Sequence, residues 1–360
     1  MNEYTATNDK KEYLDSRAKK FSVLMMFVLL LIVVTVLACT VGTGYDFMTV
    51  FSVLWDHITG VSYTPNSTEW WTDHYIWNNV LPGVVMALVA GAGLSVAGAV
   101  MQSIMENPLA DAYTTGISSG ACLGAVSAII VGFSFSTAAS SMGIVMNAFI
   151  GALVPAVLII LLTRYVGNSP ATMILIGSAL SFFFNAVVTL LMVTASAENL
   201  QDAYIWQIGS VSDAKWEDLP LMMIIVSVSS VLVYAMSDKL NVMTLGENTA
   251  KSLGVDVSYF RMLCLILISV LVAAIISYTG IIGFIGLVAP HIARVFMGSD
   301  NRFVVPSSLV LGAAILVTAD LVSHLLYSFG TVPIGVIMSF VGAPVFLYLI
   351  IRKKSRRSIY

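Results

Sequence analysis

"RMLCLILISVLVAAIISYTGIIGFIGLVAPHIAR", residues 261–294, is the stretch that decides the fold of this chain. It lies within an apolar run, 259–298, that is too long for one membrane-spanning helix of about 20 residues. Its centre reads "TGIIGFIG", and closely spaced glycines favour a turn. The run therefore forms either one span with a re-entrant piece, or two short spans around a glycine turn.

The rest of the chain is equally apolar. Of its 360 residues 58% are hydrophobic and only 10% are charged, whereas soluble domains carry about 25% charged residues. The first apolar run follows a polar tail and has no cleavage-site pattern after it, which predicts a retained helix. Eight apolar runs accompany the long one: 21–41, 80–104, 113–132, 142–163, 172–194, 219–236, 303–326 and 333–351. We predict an all-α, polytopic membrane protein.

The basic residues decide how often the long run crosses. Five Lys or Arg residues precede the first apolar run and five follow the last, and basic loops stay in the cytoplasm, so both termini are predicted to be cytoplasmic. Arg261 and Arg294 bracket the long run, and both stay inside if it crosses twice. This topology has ten transmembrane helices and leaves only Lys215, of 17 Lys and Arg residues, outside.

The same topology divides the chain into three parts. We expect a cytoplasmic tail at 1–20, a transmembrane domain at 21–352 with a long cytoplasmic loop at about 237–258, and a second cytoplasmic tail at 353–360. We place the protein in a cell membrane, in contact with lipid, and the family resemblance that follows implies that the cell is prokaryotic.

The loop at 237–258 contains "GENTAKSLG", which can form a short amphipathic helix between Gly246 and Gly254. Its core has one basic residue, Lys251, which is a poor match for anionic lipid. A soluble partner protein is the better interpretation. The expected apolar contacts of this helix are Leu245, Ala250 and Leu253.

Motifs for chemistry are absent from the sequence. It contains no G-x-x-x-x-G-K-S/T motif, no H-E-x-x-H motif and no Cys and His residues at zinc spacing. We therefore predict no catalytic residue, no cofactor, no metal and no nucleic acid on this chain. His291 in "APHIAR" lacks a paired ligand, which favours a structural role over haem or metal ligation. The three cysteines, each inside an apolar run, are interpreted as helix-packing residues.

Ionisable residues inside spans are functional hypotheses by default. The clearest is Asp320, with His324 one helical turn later. Both are expected near the outer end of their helix, hydrated or paired with each other. The alternative is a proton-coupled carrier, which normally needs more buried carboxylates than this chain provides.

Five segments in order carry a family resemblance: "GAGLSVAGAVMQSIMENPLADAYTTGISSGACLGA", "IWQIGSVSDAKW", "LNVMTLGENTAKSLGV", "GIIGFIGLVAPHIAR" and "VPIGVIMSFVGAPVFLYLI". From about residue 22 to 352 the chain resembles the FecCD-type permeases. These are the membrane subunits of ABC importers for iron–siderophore chelates, haem and vitamin B12. The resemblance implies ten helices per permease and a pathway between two permeases.

The resemblance also implies partners and site residues. The partners are a second permease copy, two ATPase subunits that bind ATP and Mg, and an extracytoplasmic substrate-binding protein. The segment expected to dock on the ATPase comprises Gly246, Glu247, Ala250, Leu253 and Gly254, and the cytoplasmic gate comprises Ser169, Pro170 and Ala171. The expected substrate is an iron(III) chelate, with cobalamin or haem as the alternative and a proton-coupled secondary transporter as the alternative class.

The chain departs from the family at its outward face. The usual Arg-Leu-Pro-Arg motif is replaced by Val80, Leu81, Pro82 and Gly83, and an acidic residue that is common in the family is replaced by Thr331. Nine acidic residues, against Lys215, are predicted to face outward. We expect a binding protein with basic residues on its docking rim. The acidic residues expected to receive it are Asp46, Glu69, Asp73 and Asp202.

The turn within "SIMENPLADAYTTGISSGA", residues 103–121, carries Glu106, Pro108 and Asp111 but no basic residue. Pro108 ends the preceding helix because it lacks an N–H group, and Asp111 is expected to cap the next one. We interpret the missing cations as replaced by helix dipoles and backbone donors, or by positive charge on the partner ATPase.

Overall fold

The computed structural model of the protein describes residues 2–41, 44–135, 140–326 and 332–357, and within these ranges it contains no β-strand. Thr331 lies outside the described residues. The helices of the first half are α1 Asn2–Thr40, α2 Phe47–Thr59, α3 Thr68–Tyr75, α4 Leu81–Ile104, α5 Ile117–Val126, α6 Ser140–Val166, α7 Pro170–Val193 and α8 Ala197–Ile208. Those of the second half are α9 Leu219–Ala235, α10 Ser237–Met243, α11 Glu247–Ser252, α12 Val257–Thr279, α13 Ile285–Met297, α14 Asn301–Leu325 and α15 Ile334–Arg357.

Irregular turns join some of these helices. A π-helical turn at Ile76–Val80 connects α3 to α4 without a break, and a second one at Ser127–Val131 continues α5. A 3₁₀ turn at Ala112–Thr115 precedes α5. Helix α1 runs through the predicted boundary at residue 20, so the polar tail and the first span form one continuous helix.

The all-α membrane architecture is confirmed. In the described part of the chain six helices are long and apolar enough to cross a membrane, and α9 with α10, bent by 61°, would add a seventh. Three shorter apolar helices lie where the remaining spans are predicted: Ile117–Val131, Ile285–Met297 and Ile334–Tyr348. The count of ten crossings stays a prediction, because it depends on how these short helices sit in the bilayer.

The long apolar run is interrupted where its glycines predict. Helix α12 ends at Thr279 and α13 begins at Ile285, and both Gly280 and Phe284 have positive φ angles, +66° and +68°. Helix α13 has 13 residues, which gives a length of about 20 Å at 1.5 Å per residue. A hydrocarbon core is about 30 Å thick. Both interpretations of this run, a short span or a re-entrant helix, remain compatible with the helix itself.

The centre of the bundle is α4, which packs against α14, α13 and α12. Gly91 of α4 faces Gly312 of α14 so closely that a Cβ atom on either would clash with the other's backbone carbonyl. A Cβ atom on Gly98 would likewise clash with the backbone carbonyl of Gly286 in α13. Small residues permit such close backbone packing, which in lipid replaces the hydrophobic effect as the force between helices. The runs of small residues are therefore helix contacts.

The outer helices of the bundle have a different character. Helices α1 and α7 bury little of their surface, and α7 exposes large apolar side chains such as Leu175, Phe182 and Leu190. An apolar face of this kind suits lipid or another membrane subunit. The three cysteines are free thiols, and Cys122 and Cys264 are buried. Their interpretation as packing residues agrees with their positions.

Candidate functional site

Arg261, in the first turn of α12, is completely buried and joins four parts of the chain. Its guanidinium donates hydrogen bonds to the carbonyl oxygen of Ile104 (3.1 Å), the carbonyl oxygen of Asn168 (2.7 Å) and Oε2 of Glu247 (3.3 Å). A carboxylate oxygen of Glu106 lies 3.9 Å away. We call these five residues the Arg261 cluster. It lies on the side of the bundle that is predicted to face the cytoplasm.

The local backbone structure explains why these acceptors lie next to Arg261. Helix α4 ends at Ile104, and the last carbonyls of a helix have no partner within it and carry partial negative charge. Glu106 follows with a positive φ of 51°, which is uncommon outside glycine, and so turns back toward Arg261. A planar guanidinium with five donors matches this set of acceptors better than an ammonium group would.

The cluster corrects one interpretation drawn from the sequence. The acidic turn at 103–121 was expected to rely on helix dipoles and backbone donors, or on positive charge of the partner ATPase. Glu106 instead has a cation from its own chain, because Arg261 lies 3.9 Å from its carboxylate. The local pattern could not show this, since the arginine belongs to a distant helix. For Asp111 the interpretation is confirmed, because its Oδ1 accepts a hydrogen bond from the backbone N–H of Ala112 (2.6 Å) and caps the 3₁₀ turn. Burial raises the pKa of Asp111 to about 6.

Glu247 opens α11 and links it to the cluster. The hydrogen bond from Lys251 (2.8 Å) and, after it, the charge of Arg261 hold the pKa of Glu247 below its ordinary value, despite partial burial. Glu247 is therefore anionic at neutral pH. It contacts Lys251 on the exposed side of α11 and Arg261 on the buried side, so any displacement of α11 acts directly on the arginine.

Helix α11 has one face toward the bundle and one toward solvent. Ala250 is fully buried in the chain's own core, whereas Leu245 and Leu253 are about three-fifths exposed, at 61% and 60%. Ala250 therefore holds the helix against the bundle, and Leu245 and Leu253 form its exposed apolar surface. Gly254 ends the helix with φ +83°, and backbone bonds from Gly254 to Lys251 and from Val255 to Ala250 form a Schellman cap.

The predicted gate begins one residue after Asn168. Ser169 caps α7 by accepting a hydrogen bond from the N–H of Thr172 (3.2 Å), and Pro170 occupies the first helical position. Asn168 is held twice, through its carbonyl by Arg261 and through its amide by the hydroxyl of Ser258 (2.6 Å). The side chains at Ser169 and Ala171 are exposed. The start of α7 is thus fixed to α12 while its tip remains accessible.

A second buried charge lies near the opposite end of the bundle. Asp320 of α14 is 1% exposed, and its Oδ1 is 3.7 Å from Nδ1 of His324. That nitrogen is 2.9 Å from the backbone carbonyl of Asp320, and since a carbonyl can only accept, the ring donates its proton there and not to the carboxylate. Oδ2 of Asp320 accepts no hydrogen bond from any described residue. The expected pairing of Asp320 with His324 is therefore incomplete.

Asp320 lines a cavity of about 370 Å³, which we call the Asp320 cavity. Its wall includes Val80 of the π-helical turn, Gly83 of α4, Asp213 from the connection between α8 and α9, and His324. The remaining lining residues are Tyr75, Asn79, Ile205, Ser210, Ser212, Ser323, Val332 and Pro333.

The four acidic residues predicted to face a binding protein have different surroundings. Asp46 precedes α2 and bonds to Thr49, and Glu69 is exposed in the first turn of α3. Asp73 is half-buried, with Oδ1 3.0 Å from Nδ1 of His57. Asp202 is exposed on α8 and lines a separate cavity of about 580 Å³ together with Asp213. Three of these acids therefore belong to the α2–α3 segment and the fourth to α8.

Comparisons with known proteins agree with this architecture. The model of the FecCD transport family matches residues 28–352. The hemin transport system permease protein of Yersinia pestis is 33% identical over 335 residues, covering 93% of this chain and 97% of that protein. An iron(3+)-hydroxamate import system permease protein of Bacillus subtilis is 33% identical over 286 residues, 79% of this chain and 73% of that protein. A solved ABC transporter, described as inward-facing and of the metal-chelate type, superposes with a TM-score of 0.79 at 29% identity, over 92% of this chain and 99% of that one.

Proposed function

This chain belongs to the FecCD transport family and is the membrane permease of an ABC importer, and on that premise we propose that it forms, with a second copy of itself, the translocation pathway for an iron(III) chelate. ATP and Mg are bound by two separate ATPase subunits, since this chain carries no phosphate-binding loop. An extracytoplasmic binding protein delivers the substrate.

One observation carries the mechanism: Arg261 bonds both to the segment expected to dock on the ATPase and to the residue that precedes the gate. Its guanidinium holds Glu247 of α11 and the carbonyl of Asn168 at the same time. Two segments that are far apart in the sequence thus share one buried donor. We assign α11 and its ends, with Gly246, Glu247, Ala250, Leu253 and Gly254, to ATPase coupling, and Ser169, Pro170 and Ala171 to the gate.

Coupling then follows a short mechanical route. The ATPase subunits contact the exposed side chains of Leu245 and Leu253, and their closure on ATP displaces α11. Because a buried arginine keeps its partners only in a fixed geometry, this displacement moves Arg261 relative to Asn168. The first turn of α7 follows, and the gate at Ser169 and Ala171 changes its distance from the second copy. A packed cluster of this kind has discrete arrangements, which is what a two-state gate requires.

The names of the relatives support the proposed class of substrate. One similar permease is named for hemin and another for iron(3+)-hydroxamate, and the similar solved transporter is described as of the metal-chelate type. A metal chelate is common to all three, and an iron(III) chelate is the member of this class that we propose. Haem and cobalamin are the alternatives within the class, and a proton-coupled carrier is the alternative outside it.

The outward face completes the proposal. We assign Asp46, Glu69, Asp73 and Asp202 to the surface that meets the binding protein, with both termini in the cytoplasm. The acids on this surface favour a partner with a basic rim, because burying an unpaired carboxylate costs several kcal/mol.

The experiment that tests the function is uptake into proteoliposomes that contain the permease, its ATPase subunits and its binding protein. The probes are ⁵⁵Fe-loaded siderophores, hemin and cobalamin. We expect uptake of an iron(III) siderophore that requires ATP and is insensitive to a collapsed proton gradient. Uptake driven by a proton gradient without ATP would assign the chain to secondary transport, and uptake of hemin or cobalamin alone would replace the substrate.

A further inference from the structure

The Asp320 carboxylate is buried without the partners that a buried charge needs. Only 1% of the residue is exposed, Oδ2 has no hydrogen-bond donor among the described residues, and the proton on Nδ1 of His324 is used by a backbone carbonyl. A buried carboxylate that lacks a partner is costly to the fold. A cation from a partner protein would supply the missing partner.

The cavity in front of this carboxylate is acidic and open to the outer surface. Asp213 stands at its mouth with an exposed side chain, next to the exposed side chains of Asn79 and Ser212. None of the described residues that line it is Lys or Arg, and the sequence has no Lys or Arg between Arg302 and Arg352. Neither α14 after Arg302 nor the segment that follows it therefore brings a Lys or Arg to Asp320, and the proton on Nδ1 of His324 is directed at a backbone carbonyl.

The volume and the lining residues of the Asp320 cavity indicate which kind of cation it can bind. Among the described residues no group of three or more His, Cys, Asp or Glu side chains can hold a metal ion, so a multivalent metal is a poor match. The volume of about 370 Å³ is near the lower end of cavities that accept small organic groups, roughly 300–1,000 Å³. A guanidinium on a flexible apolar stem fits a deep carboxylate with a second acid at the mouth, because it binds carboxylates through two parallel hydrogen bonds.

We propose that the Asp320 cavity is a receptor for an arginine side chain of the extracytoplasmic binding protein, with Asp320 as the buried partner of the guanidinium and Asp213 as the acid at the mouth. The inference rests on the proposed importer function, which supplies the partner. Charge complementarity supports this occupant, since the acids around the mouth attract a basic rim before the arginine enters. In the complex the arginine would be a central anchor, the role that arginine often has in interfaces.

The first test asks whether the cavity recognises a guanidinium, and it needs no partner protein. Gly83 lines the cavity, and a Cβ atom there meets only the carbonyl oxygen of Val211, at 3.4 Å. Gly83→Arg thus delivers a guanidinium from the chain itself, and Gly83→Met is the uncharged control. We expect Gly83→Arg to raise the melting temperature of the purified permease above that of Gly83→Met by about 2–4 °C. In an Asp320→Asn background this difference should vanish.

The second test measures the binding protein that supports uptake in the proteoliposome assay, with the transporter in nanodiscs. Asp320→Asn should weaken its Kd about 30-fold or more, and Gly83→Arg should weaken it similarly by filling the cavity. Asp213→Asn, at an exposed position that carries no folding risk, should slow association about threefold. Glu198→Gln is the matched control, because it removes an exposed outer acid of α8 that does not line the cavity.

The outcomes separate this inference from the proposed function. If wild-type uptake is ATP-driven but binding is indifferent to Asp320→Asn, Asp213→Asn and Gly83→Arg, the receptor is disproved while the importer stands. If Gly83→Arg gives no more stability than Gly83→Met, the cavity does not recognise a guanidinium. Stabilisation by Na⁺ over N-methylglucamine that Asp320→Asn abolishes would assign the cavity to a free cation instead. Absence of ATP-driven uptake would refute the proposed function and leave the stability test valid.

Discussion

Each end of this protein buries one charged side chain, and the two charges differ in how completely their own chain supplies hydrogen-bond partners. Arg261 is 0% exposed and has two backbone carbonyls and two carboxylates of its own chain around it. Asp320 is 1% exposed, and one of its oxygens has no partner among the described residues. The guanidinium of Arg261 has its hydrogen-bond partners within the chain, so it can transmit movement between segments. The carboxylate of Asp320 can, on our proposal, take its partner from another molecule.

The difference follows from the energetics of buried ions. Removing a charge from water costs several kcal/mol and is repaid only by good geometry and complete hydrogen bonding. At Arg261 both conditions are met, so the arginine stabilises one arrangement of α4, α7, α11 and α12. At Asp320 they are not met by the described residues, so binding of a cation there would release free energy. Substitutions at the two sites should therefore change different properties of the transporter.

The largest effect is expected at Arg261. A lysine keeps the charge but cannot reach two carbonyls and a carboxylate with one compact ammonium group, so Arg261→Lys should reduce the substrate transported per ATP hydrolysed about tenfold, within the usual range of coupling energies. Arg261→Met should in addition destabilise the permease by about 3–5 kcal/mol. The measurements are uptake and ATPase rates in the same proteoliposomes, with thermal unfolding of the purified protein.

Two variants serve as controls for Arg261. Lys251→Met removes the exposed partner of Glu247 but leaves the bonds from Arg261 to Asn168 and Ile104, so its effect on the coupling ratio should be small. Glu198→Gln, which removes an exposed acid at the other end that does not line the Asp320 cavity, should leave the ratio unchanged. If Arg261→Lys transports as efficiently as the wild type, the cluster is a structural feature and not part of the coupling route.

The comparison also shows what the sequence could and could not predict. Apolar runs predicted the membrane helices, and the glycines predicted the break between α12 and α13, because these signals are local. From the sequence, Arg261 was recognised only as a basic residue on the cytoplasmic side of the membrane. Its contacts with Glu106 and Asn168 could not be predicted, because they arise from packing between helices far apart in the chain. The sequence also showed Asp320 as a charged residue inside a span. It could not show that the proton on Nδ1 of His324 is donated to a backbone carbonyl instead of to the Asp320 carboxylate.

The next effect concerns the gate. With cysteine at Ser169 or Ala171, two copies of the chain should cross-link in one nucleotide state and much less in another, because these exposed residues lie at the start of α7. In an Arg261→Lys background the difference between nucleotide states should disappear, whereas Asp320→Asn should preserve it. Cross-linking yields are read on gels after trapping each state. Equal yields in every state of the wild type would contradict the gate assignment or the homodimer.

A smaller effect is expected at the end of α11. Gly254 has a φ of +83° and open space where a Cβ atom would stand, so a substitution there strains only the backbone. A β-branched residue costs about 1–2 kcal/mol in this conformation and asparagine less, so Gly254→Val should lower the coupling ratio about fivefold and Gly254→Asn only slightly.

Gly60 is the matched control for Gly254, since it ends α2 with φ +78° and is equally open, but lies on the outer loop. Gly60→Val should leave the coupling ratio unchanged. If both valine variants lower the ratio equally, backbone strain acts through overall stability and the assignment of α11 to coupling loses its support.

The smallest effects are expected on the acidic outer face, where charges act through solvent. Association of the binding protein should slow as ionic strength rises, because exposed charges are screened beyond about 10 Å at 0.1 M salt. Glu69→Gln and Asp202→Asn, which remove exposed acids, should each slow association about twofold, and Asp46→Asn similarly. Asp73→Asn should have less effect, because His57 already occupies its carboxylate. Stopped-flow association rates across a salt series measure all four. If the association rate changed with neither ionic strength nor these four substitutions, the four acids would make no contribution to association. The cavity around Asp320 would then be the remaining source of attraction for a basic partner.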